Sequence, residues 1–143
     1  MLCPFCSHEE TRVLESRVYE SSVRRRRECG GCSTRFTTHE TFEFQLTVIK
    51  KDGKEEPFYL NKIKSSIEKA CHKITEEKLL TLTKNVEQKI LTKKLSTIKT
   101  TEIGRFVLQE LKKFDKMAYL RYTSVYKSIE NPLQLKKELN TIV

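Results

Sequence analysis

Two cysteine pairs near the start of the chain constrain its folding more than any other feature. They are Cys3-Pro4-Phe5-Cys6 and Cys29-Gly30-Gly31-Cys32, two C-x-x-C turns separated by 22 residues. Each such turn places two thiolates on one metal ion, and two turns together supply the four sulfur ligands that tetrahedral Zn²⁺ prefers. We therefore expect one structural zinc ion, bound by Cys3, Cys6, Cys29 and Cys32.

Other uses of paired cysteines fit this chain less well. A thioredoxin-like redox pair needs a βαβ unit after it, and haem attachment needs a histidine directly after the second cysteine, where Ser7 stands. Cysteine-bearing proteins without an export signal use the thiols as metal ligands more often than as disulfides. The Met1-Leu2-Cys3 start lacks a basic segment followed by an apolar run, so we expect a cytoplasmic protein. His8 and His39 are interpreted as ordinary histidines because four cysteines already complete the ligand set.

The residues between and after the cysteine pairs predict three short β-strands. A unit of about 40 residues cannot bury enough apolar surface to fold alone, so the metal ion would stabilise it. The layout is that of a zinc ribbon over residues 1–45, with three antiparallel strands. The predicted strands are Thr11–Tyr19, Val23–Glu28 and Arg35–Phe44, and the candidates for a small core are Val13, Val18, Phe36, Phe42 and Phe44.

The positive charge of the chain does not lie in this ribbon. The formal net charge is +9, but residues 1–45 contain seven arginines and seven glutamates. Four thiolates and one Zn²⁺ would make the ribbon about −2, since bound cysteines are deprotonated. The excess of basic residues therefore belongs to residues 46–143, and the ribbon can contact nucleic acid only through a local cluster of arginines.

Such a cluster is present at Arg24–Arg27. On a strand, Arg24 and Arg26 share one face and Arg25 and Arg27 share the other, and Arg12 and Arg17 can extend the patch across the sheet. Arginine suits phosphate oxygens and the edge of guanine. The alternative is a solvated strand edge that is kept charged against aggregation. On these residues alone, both interpretations stay open.

The second segment predicts a β-hairpin followed by a bundle of about four helices, which makes the chain an α+β protein. Residues 45–58 alternate around an Asp52-Gly53 turn, and from Leu60 onward the apolar period changes to about 3.6. A last short helix is predicted over residues 133–139. The candidate caps are Asn61, Thr75, Thr100 or Thr101, and Asp115. The apolar faces of the four helices are Ile63, Ile67, Ala70 and Ile74; Leu79, Leu82, Val86 and Ile90; Ile103, Phe106, Val107, Leu111 and Phe114; and Met117 or Ala118 with Tyr119, Tyr122, Val125, Tyr126 and Ile129.

Lysines around the hairpin and the first helix are candidates for a polyphosphate site. Lys50 and Lys51 precede the turn, and Lys62 lies at a helix N-terminus, where anions bind. The alternative for the lysine pair is a charged hairpin shoulder. For Tyr119, Tyr122 and Tyr126 the simpler interpretation is helix packing. There is no Walker A loop, no dinucleotide loop and no catalytic dyad, so we do not expect an enzyme.

Several segments in order resemble the NrdR family of bacterial transcriptional repressors. The ribbon segments are Cys3-Pro4-Phe5-Cys6, Ser16-Arg17, Val23 to Cys29, and Arg35-Phe36-Thr37-Thr38-His39-Glu40. The segments Val48 to Gly53, Pro57-Phe58, Asn61-Lys62-Ile63 and Ala118 to Tyr126 resemble the ATP-cone of that family. The resemblance implies a rubredoxin-like zinc ribbon for DNA binding at residues 1–45, an ATP-cone for nucleotide binding at 46–136, and a C-terminal tail at 137–143.

The resemblance also implies a function. Members of this family repress ribonucleotide reductase genes by binding paired promoter boxes in double-stranded DNA. ATP and dATP, with Mg²⁺, bind the cone and change the homo-oligomer, from a dimer up to a tetramer or larger, and hence the DNA affinity. The resemblance implies a DNA contact for Arg24, Arg25, Arg26 and Arg27, with Arg12, Arg17 and Arg35 as weaker candidates. It implies a nucleotide contact for Val48, Lys50, Lys51, Glu56 and Lys62, of which Val48 and Glu56 would lie nearer the base. Lower-ranked candidates, bordering the nucleotide or a subunit interface, are Tyr119, Tyr122 and Tyr126.

The chain departs from the family at Lys51, where arginine is usual. Charge is kept, but bidentate phosphate binding is lost. Two rival functions remain: an RNA-binding zinc ribbon with an accessory bundle, and a nucleotide-hydrolysing enzyme. The resemblance places the protein at the bacterial nucleoid, and the absence of a long apolar segment argues against a membrane partner.

Overall fold

The computed structural model describes residues 1–143 as two compact units, Met1–Phe44 and Gln45–Val143. We refer to the first as the ribbon and to the second as the cone. Each unit has its own sheet and its own buried residues. No helix is long and apolar enough to cross a lipid bilayer.

The ribbon is a three-stranded antiparallel sheet in the order β1-β2-β3, as the sequence predicts. The strands are β1 (Thr11–Tyr19), β2 (Ser22–Cys29) and β3 (Arg35–Thr41). The arginine run lies on β2, the central strand, which pairs with a neighbour on each side. The interpretation of Arg24–Arg27 as a charged sheet edge is therefore wrong.

The predicted apolar core of the ribbon is wrong for three of its five residues, whereas Phe36 and Phe44 are half-buried. Val13, Val18 and Phe42 are exposed by 44%, 78% and 59%, and the buried apolar residues of the ribbon are Cys3 and Cys29. The last strand ends at Thr41 instead of Phe44. A unit of this size has too little interior for aromatic side chains, so its centre is the cysteine cluster itself.

The cone combines a small mixed sheet with five helices. Its sheet has the order β5-β4-β6, in which β4 (Thr47–Ile49) pairs antiparallel with β5 (Glu55–Pro57) and parallel with β6 (Thr97–Lys99). The strand β6 is not predicted from sequence because a segment of three residues is too short to carry a periodic signal. The helices are α1 (Leu60–Ala70), α2 (Glu76–Thr92), α3 (Thr100–Phe114), α4 (Lys116–Tyr126) and α5 (Pro132–Ile142).

The hairpin turn differs from the predicted two-residue Asp52-Gly53 turn. The amide of Gly53 donates to the Lys50 carbonyl at 2.9 Å, so Lys51 and Asp52 are the central residues. Gly53 follows with φ +85°, and no other residue of the turn has a positive φ. This is a three-residue loop closed by a left-handed glycine. Lys51 therefore stands at the top of the turn.

Helix caps follow the sequence in two of four cases. Thr75 accepts from the Lys78 amide and caps α2, and Asp115 accepts from the Met117 amide at 2.8 Å and caps α4. The cap residue of α1 is Tyr59 instead of Asn61, and that of α3 is Lys99, with no side-chain bond at either. In both cases a strand or turn leads directly into the helix and fixes its start.

The sequence predicts a C-terminal tail over residues 137–143, but the structure shows these residues as helical up to Ile142. These residues continue α5, whose N-cap is Asn131 and whose last turn buries Ile142 at 6% exposure. The side chain of Glu138 in this helix bonds Lys127 and the Tyr119 hydroxyl. The C-terminal residues are therefore part of the cone and contact α4.

Candidate metal centre, arginine face and phosphate pocket

The four cysteines of the two turns meet in one cluster. Their sulfur atoms all lie within 4.8 Å of one another, with Cys3 Sγ to Cys32 Sγ at 3.8 Å and Cys6 Sγ to Cys29 Sγ at 3.6 Å. A tetrahedral zinc ion with Zn–S bonds of about 2.3 Å requires S···S separations of about 3.8 Å. The ligand set and its spacing fit a structural zinc ion, and four sulfurs leave no open position for catalysis.

Local hydrogen bonds favour the thiolate form at the second turn. The backbone amides of Gly31 and Cys32 donate hydrogen bonds to Cys29 Sγ at 3.3 and 3.4 Å. The hydrogen bond from the Cys32 amide is the main reason that the pKa of Cys29 is lowered. The Thr34 hydroxyl, 3.2 Å from Cys32 Sγ, contributes most to lowering the pKa of Cys32 to about 6. Deprotonated thiols are the form that binds metal.

The strand register divides the arginines between the two faces of the ribbon sheet. The pairs Arg12–Glu28, Glu15–Arg26 and Arg17–Arg24 place these side chains on one face, despite a register shift between Val13 and Glu15. Arg35, paired with Glu28, belongs to the same face. We define the arginine face as Arg12, Arg17, Arg24, Arg26 and Arg35. Arg25 and Arg27 point to the opposite face.

Most of these arginines already have partners within the ribbon. Arg12 and Arg35 both donate hydrogen bonds to the Glu28 carboxylate. Both contacts lower the Glu28 pKa, and the contact with Arg12 has the larger effect. Arg17 bonds Glu15 at 2.6 Å. On the other face, Arg25 pairs with Glu40 at 3.1 Å and Arg27 donates to Thr38 at 3.1 Å.

Arg24 and Arg26 are the exception, because neither makes an ion pair or a side-chain hydrogen bond within the chain. The guanidinium groups of both are available for an external anion, and Arg26 is exposed. Arginine without an internal partner loses no existing interaction when it binds phosphate or a base edge. The run of four arginines therefore contains two free donors on one face.

The lysine-rich end of the cone contains a cavity of about 230 Å³. It brings together six of the residues named from sequence, which come from β4, the hairpin, α1 and α4. These are Val48, Lys51, Glu56, Lys62, Tyr122 and Tyr126. Its apolar wall is made by residues such as Pro57, Phe58, Ile63, Ile103 and Val107. A cavity with an apolar wall and a cationic rim suits a ligand with a flat base and an anionic tail.

A carboxylate occupies the cationic rim. Glu56 lies 2.9 Å from the Lys62 ammonium and 3.1 Å from the Lys50 ammonium. Both contacts lower the Glu56 pKa, and the contact with Lys62 has the larger effect. The sequence interpretation has Glu56 nearer the base, whereas in the structure its carboxylate bridges the two lysines. An arriving phosphate would therefore compete with Glu56 for the same ammonium groups.

Tyr126 forms a further part of the cavity wall. Its hydroxyl donates to the Thr101 carbonyl at 2.6 Å, and its ring stacks on Tyr122 with centroids 6.0 Å apart. The ring also lies directly on Gly104, where an added Cβ would come within 2.1 Å of it. Burial raises the pKa of Tyr122 to about 12, so this ring stays neutral. Glycine at position 104 is what allows the ring of Tyr126 to lie against α3.

Two candidates lie outside the cavity, and several of its residues were not predicted. Lys50 reaches the site only through Glu56, and Tyr119 is buried with its hydroxyl 3.3 Å from Glu138 of α5. Tyr59, Ser66 and Gly104 line the cavity without having been named from sequence. The Lys62 ammonium lies 5.4 Å from the Tyr59 ring centre. Only the aromatic residue just before the predicted helix could have suggested Tyr59.

The fold and the sites define a class of protein: a zinc-ribbon domain joined to a helical domain with a lysine-rimmed cavity. Family comparisons agree with this class. Residues 46–132 match the model of the ATP cone domain, and residues 1–40 match that of the transcriptional repressor NrdR-like N-terminal domain.

Relatives extend the match over nearly the whole chain. The Transcriptional repressor NrdR of Variovorax paradoxus (strain S110) is 42% identical over 147 residues, covering 99% of this chain and 100% of the relative. That of Thermosipho melanesiensis is 46% identical over 147 residues, covering 97% of each. The chain belongs to the NrdR family of transcriptional repressors. This is a family of regulators and not of enzymes.

Proposed function

We propose that this protein is a nucleotide-responsive repressor that binds paired promoter boxes of ribonucleotide reductase genes. The ribbon reads the DNA, and ATP or dATP, with Mg²⁺ on its phosphates, binds in the cone. Nucleotide occupancy changes the homo-oligomer and thereby the DNA affinity. The observation that carries the proposal is the presence, in one chain of this family, of a zinc ribbon with free arginines and a lysine-rimmed cavity.

Within the ribbon, we assign DNA reading to the arginine face, with Arg24 and Arg26 at its centre. The support is that these two guanidinium groups have no partner in the chain, whereas Arg25 and Arg27 are bonded on the opposite face. Arg12, Arg17 and Arg35, held by Glu28 and Glu15, would contact phosphates at the border of the same face.

Within the cone, the triphosphate would lie against Lys51 and Lys62, with Lys50 joining once Glu56 releases it. The base would occupy the apolar part of the cavity near Val48, and Tyr122 and Tyr126 would border it. A second cavity of about 410 Å³ shares Ser66, Tyr122 and Tyr126 with the first, so both lie against the same two rings. Calorimetric stoichiometry with ATP counts the nucleotides per cone.

Switching requires that the nucleotide bind two quaternary arrangements with different affinity. Two ribbons held at a fixed distance would then match two boxes separated by whole turns of DNA. Light scattering tests this part. The expected result is a different mass with ATP, with dATP and without nucleotide; one mass in all three conditions would remove the proposed switch.

The DNA assignment is tested by two matched variants with the same charge change. Arg24→Ala with Arg26→Ala should lower affinity for ribonucleotide reductase promoter DNA by at least about 30-fold, since each bidentate contact is worth about 1–3 kcal/mol. Arg25→Ala with Arg27→Ala should change it much less. Equal losses in the two variants would contradict the assignment of the reading face.

The same assay separates the rival functions. Preference for single-stranded RNA over promoter duplex would favour an RNA-binding protein. Sustained phosphate release from ATP would favour hydrolysis, but Glu56 is the only acidic residue that lines the cavity, and its carboxylate is bonded to two lysines. We expect neither result.

A further inference from the structure

A line of lysines and phenylalanines runs along the seam between α2 and α3. Lys78 and Lys89 of α2, and Lys93 at its C-cap, are separated by 11 and 4 residues, which places them within about 60° on one helix face. Facing them on α3 are Phe106, Lys113 and Phe114. We name these six residues the basic seam.

Contacts across the seam are specific. The Lys78 ammonium lies 5.9 Å from the ring centre of Phe114, and that of Lys93 lies 5.9 Å from the ring centre of Phe106. Between the two ends, Lys89 bonds Glu110 at 2.7 Å and Gln109 at 3.0 Å. An ammonium group above the face of an aromatic ring stays charged and is attracted by the ring, so the two phenylalanines hold these lysines at the surface of the seam.

The acidic group within the seam is not available to solvent. Glu110 is buried at 7% exposure, and its carboxylate is bonded by Lys89 and by Asn85. Lys113 also lies close enough to contribute to lowering the Glu110 pKa. Lys78, Lys93 and Lys113 are exposed and have no carboxylate partner. The surface of the seam is therefore cationic along its length.

We propose that the basic seam binds the DNA backbone as a second contact surface that does not depend on base sequence. The inference rests on the proposed DNA-binding function. The main support is the charge distribution: the ribbon has no net positive charge, so the long-range attraction to DNA must come from the cone, which has the whole excess of +9. The span from Lys78 to Lys93 is about 22 Å, which covers about six phosphates of one DNA strand.

The test compares two triple variants with the same loss of charge. One is Lys78→Gln, Lys93→Gln and Lys113→Gln; Lys89 is kept because it neutralises buried Glu110. The control is Lys73→Gln, Lys136→Gln and Lys137→Gln, which removes three exposed lysines away from the seam. Each protein is titrated with promoter duplex and with unrelated duplex of the same length at several salt concentrations.

The seam variant should show a weaker salt dependence on both duplexes. Each lost phosphate contact lowers the slope of log affinity against log salt by about 0.9, so we expect a decrease of about 2 to 3 relative to wild type. Affinity for the two duplexes should fall by the same factor, because the seam does not read bases. The control should keep the wild-type slope to within about 1.

Three further outcomes decide the proposal. Equal slopes in the seam and control variants would overturn it and leave the ribbon assignment standing, including the case in which the seam binds an acidic protein instead. Failure of wild-type protein to prefer promoter duplex would overturn the proposed function itself. A Lys→Arg version of the seam variant should retain the wild-type slope, which guards against a general effect of substitution on folding.

Discussion

The ammonium of Lys51 donates a hydrogen bond of 3.0 Å to the backbone carbonyl of Tyr126 and lies 5.5 Å from the centre of the Tyr126 ring. Tyr126 is the last residue of α4, where carbonyl groups lack helical partners and the helix dipole is negative. Lys51 therefore connects the hairpin turn to the end of α4 at the wall of the lysine-rimmed cavity.

Replacing this lysine should weaken nucleotide binding. A hydrogen bond to a charged group contributes about 1.5–3 kcal/mol, so Lys51→Met should raise the ATP dissociation constant by about 10- to 100-fold. Lys51→Arg keeps the charge and adds a bidentate donor, so it should bind ATP at least as tightly as wild type. Titration calorimetry measures both. Wild-type affinity in the Met variant would exclude Lys51 from the site.

Gly104→Ala tests the contact between α3 and the Tyr126 ring. Alanine in a helix is normally more stable than glycine by about 1 kcal/mol. Here the new methyl group would lie 2.1 Å from the ring, so Tyr126 must move. Overpacking of this kind costs about 1–3 kcal/mol. We expect a lower free energy of unfolding in urea and weaker ATP binding; an increase in stability would contradict the packing described.

The lowered pKa of Glu110 predicts that the free energy of unfolding depends on pH. Its burial would raise the pKa, but the bonds from Lys89 and Asn85 outweigh that effect and lower it. A carboxyl with a lowered folded pKa contributes stability above its unfolded pKa of about 4.3, and that stability is lost as pH falls through the folded pKa.

The variant Glu110→Gln isolates this contribution. At pH 7 it should reduce the free energy of unfolding by about 1–3 kcal/mol, because Lys89 loses its charged partner. The difference from wild type should shrink as the pH is lowered from 5 towards 3. A difference that stays constant across this range would show that the charge of Glu110 does not stabilise the cone. Urea unfolding at each pH measures it.

Zinc removal should unfold the ribbon and leave the cone folded. Loss of one ligand in Cys29→Ser, or chelation, should unfold the ribbon, because structural zinc supplies about 10–16 kcal/mol in comparable small sites. Promoter binding should be lost. The cone has its own core, so its ATP affinity should stay within about threefold of wild type. Loss of ATP binding on zinc removal would show that the cone depends on the ribbon for folding.

The parts of this molecule predicted from sequence are those fixed by local chemistry. The spacing of Cys3, Cys6, Cys29 and Cys32 predicts a tetrahedral metal site, and this prediction does not depend on the conformation of the residues between the two pairs. The caps Thr75 and Asp115 act within their own helices. The four apolar positions predicted for α2, namely Leu79, Leu82, Val86 and Ile90, are all buried because a period of 3.6 defines one face irrespective of the partner helix.

The parts that were missed depend on partners distant in the sequence. The strand Thr97–Lys99 exists because it pairs with β4, and no local pattern marks it. Glu56 meets two lysines only after the hairpin closes on α1. The lack of partners at Arg24 and Arg26 depends on which residues of β1 and β3 lie opposite them in the sheet. Exposure of Val18 and Phe42 follows from the small size of the ribbon.

The central claim is that nucleotide in the cone controls DNA binding by the ribbon. The most direct measurement is the affinity of the zinc-loaded protein for ribonucleotide reductase promoter duplex with saturating ATP, with saturating dATP and with neither. We predict that the affinity differs by at least about tenfold between two of these conditions, the effect of a coupling free energy of about 1.4 kcal/mol. The same affinity in all three, with calorimetry showing nucleotide bound, would contradict the account.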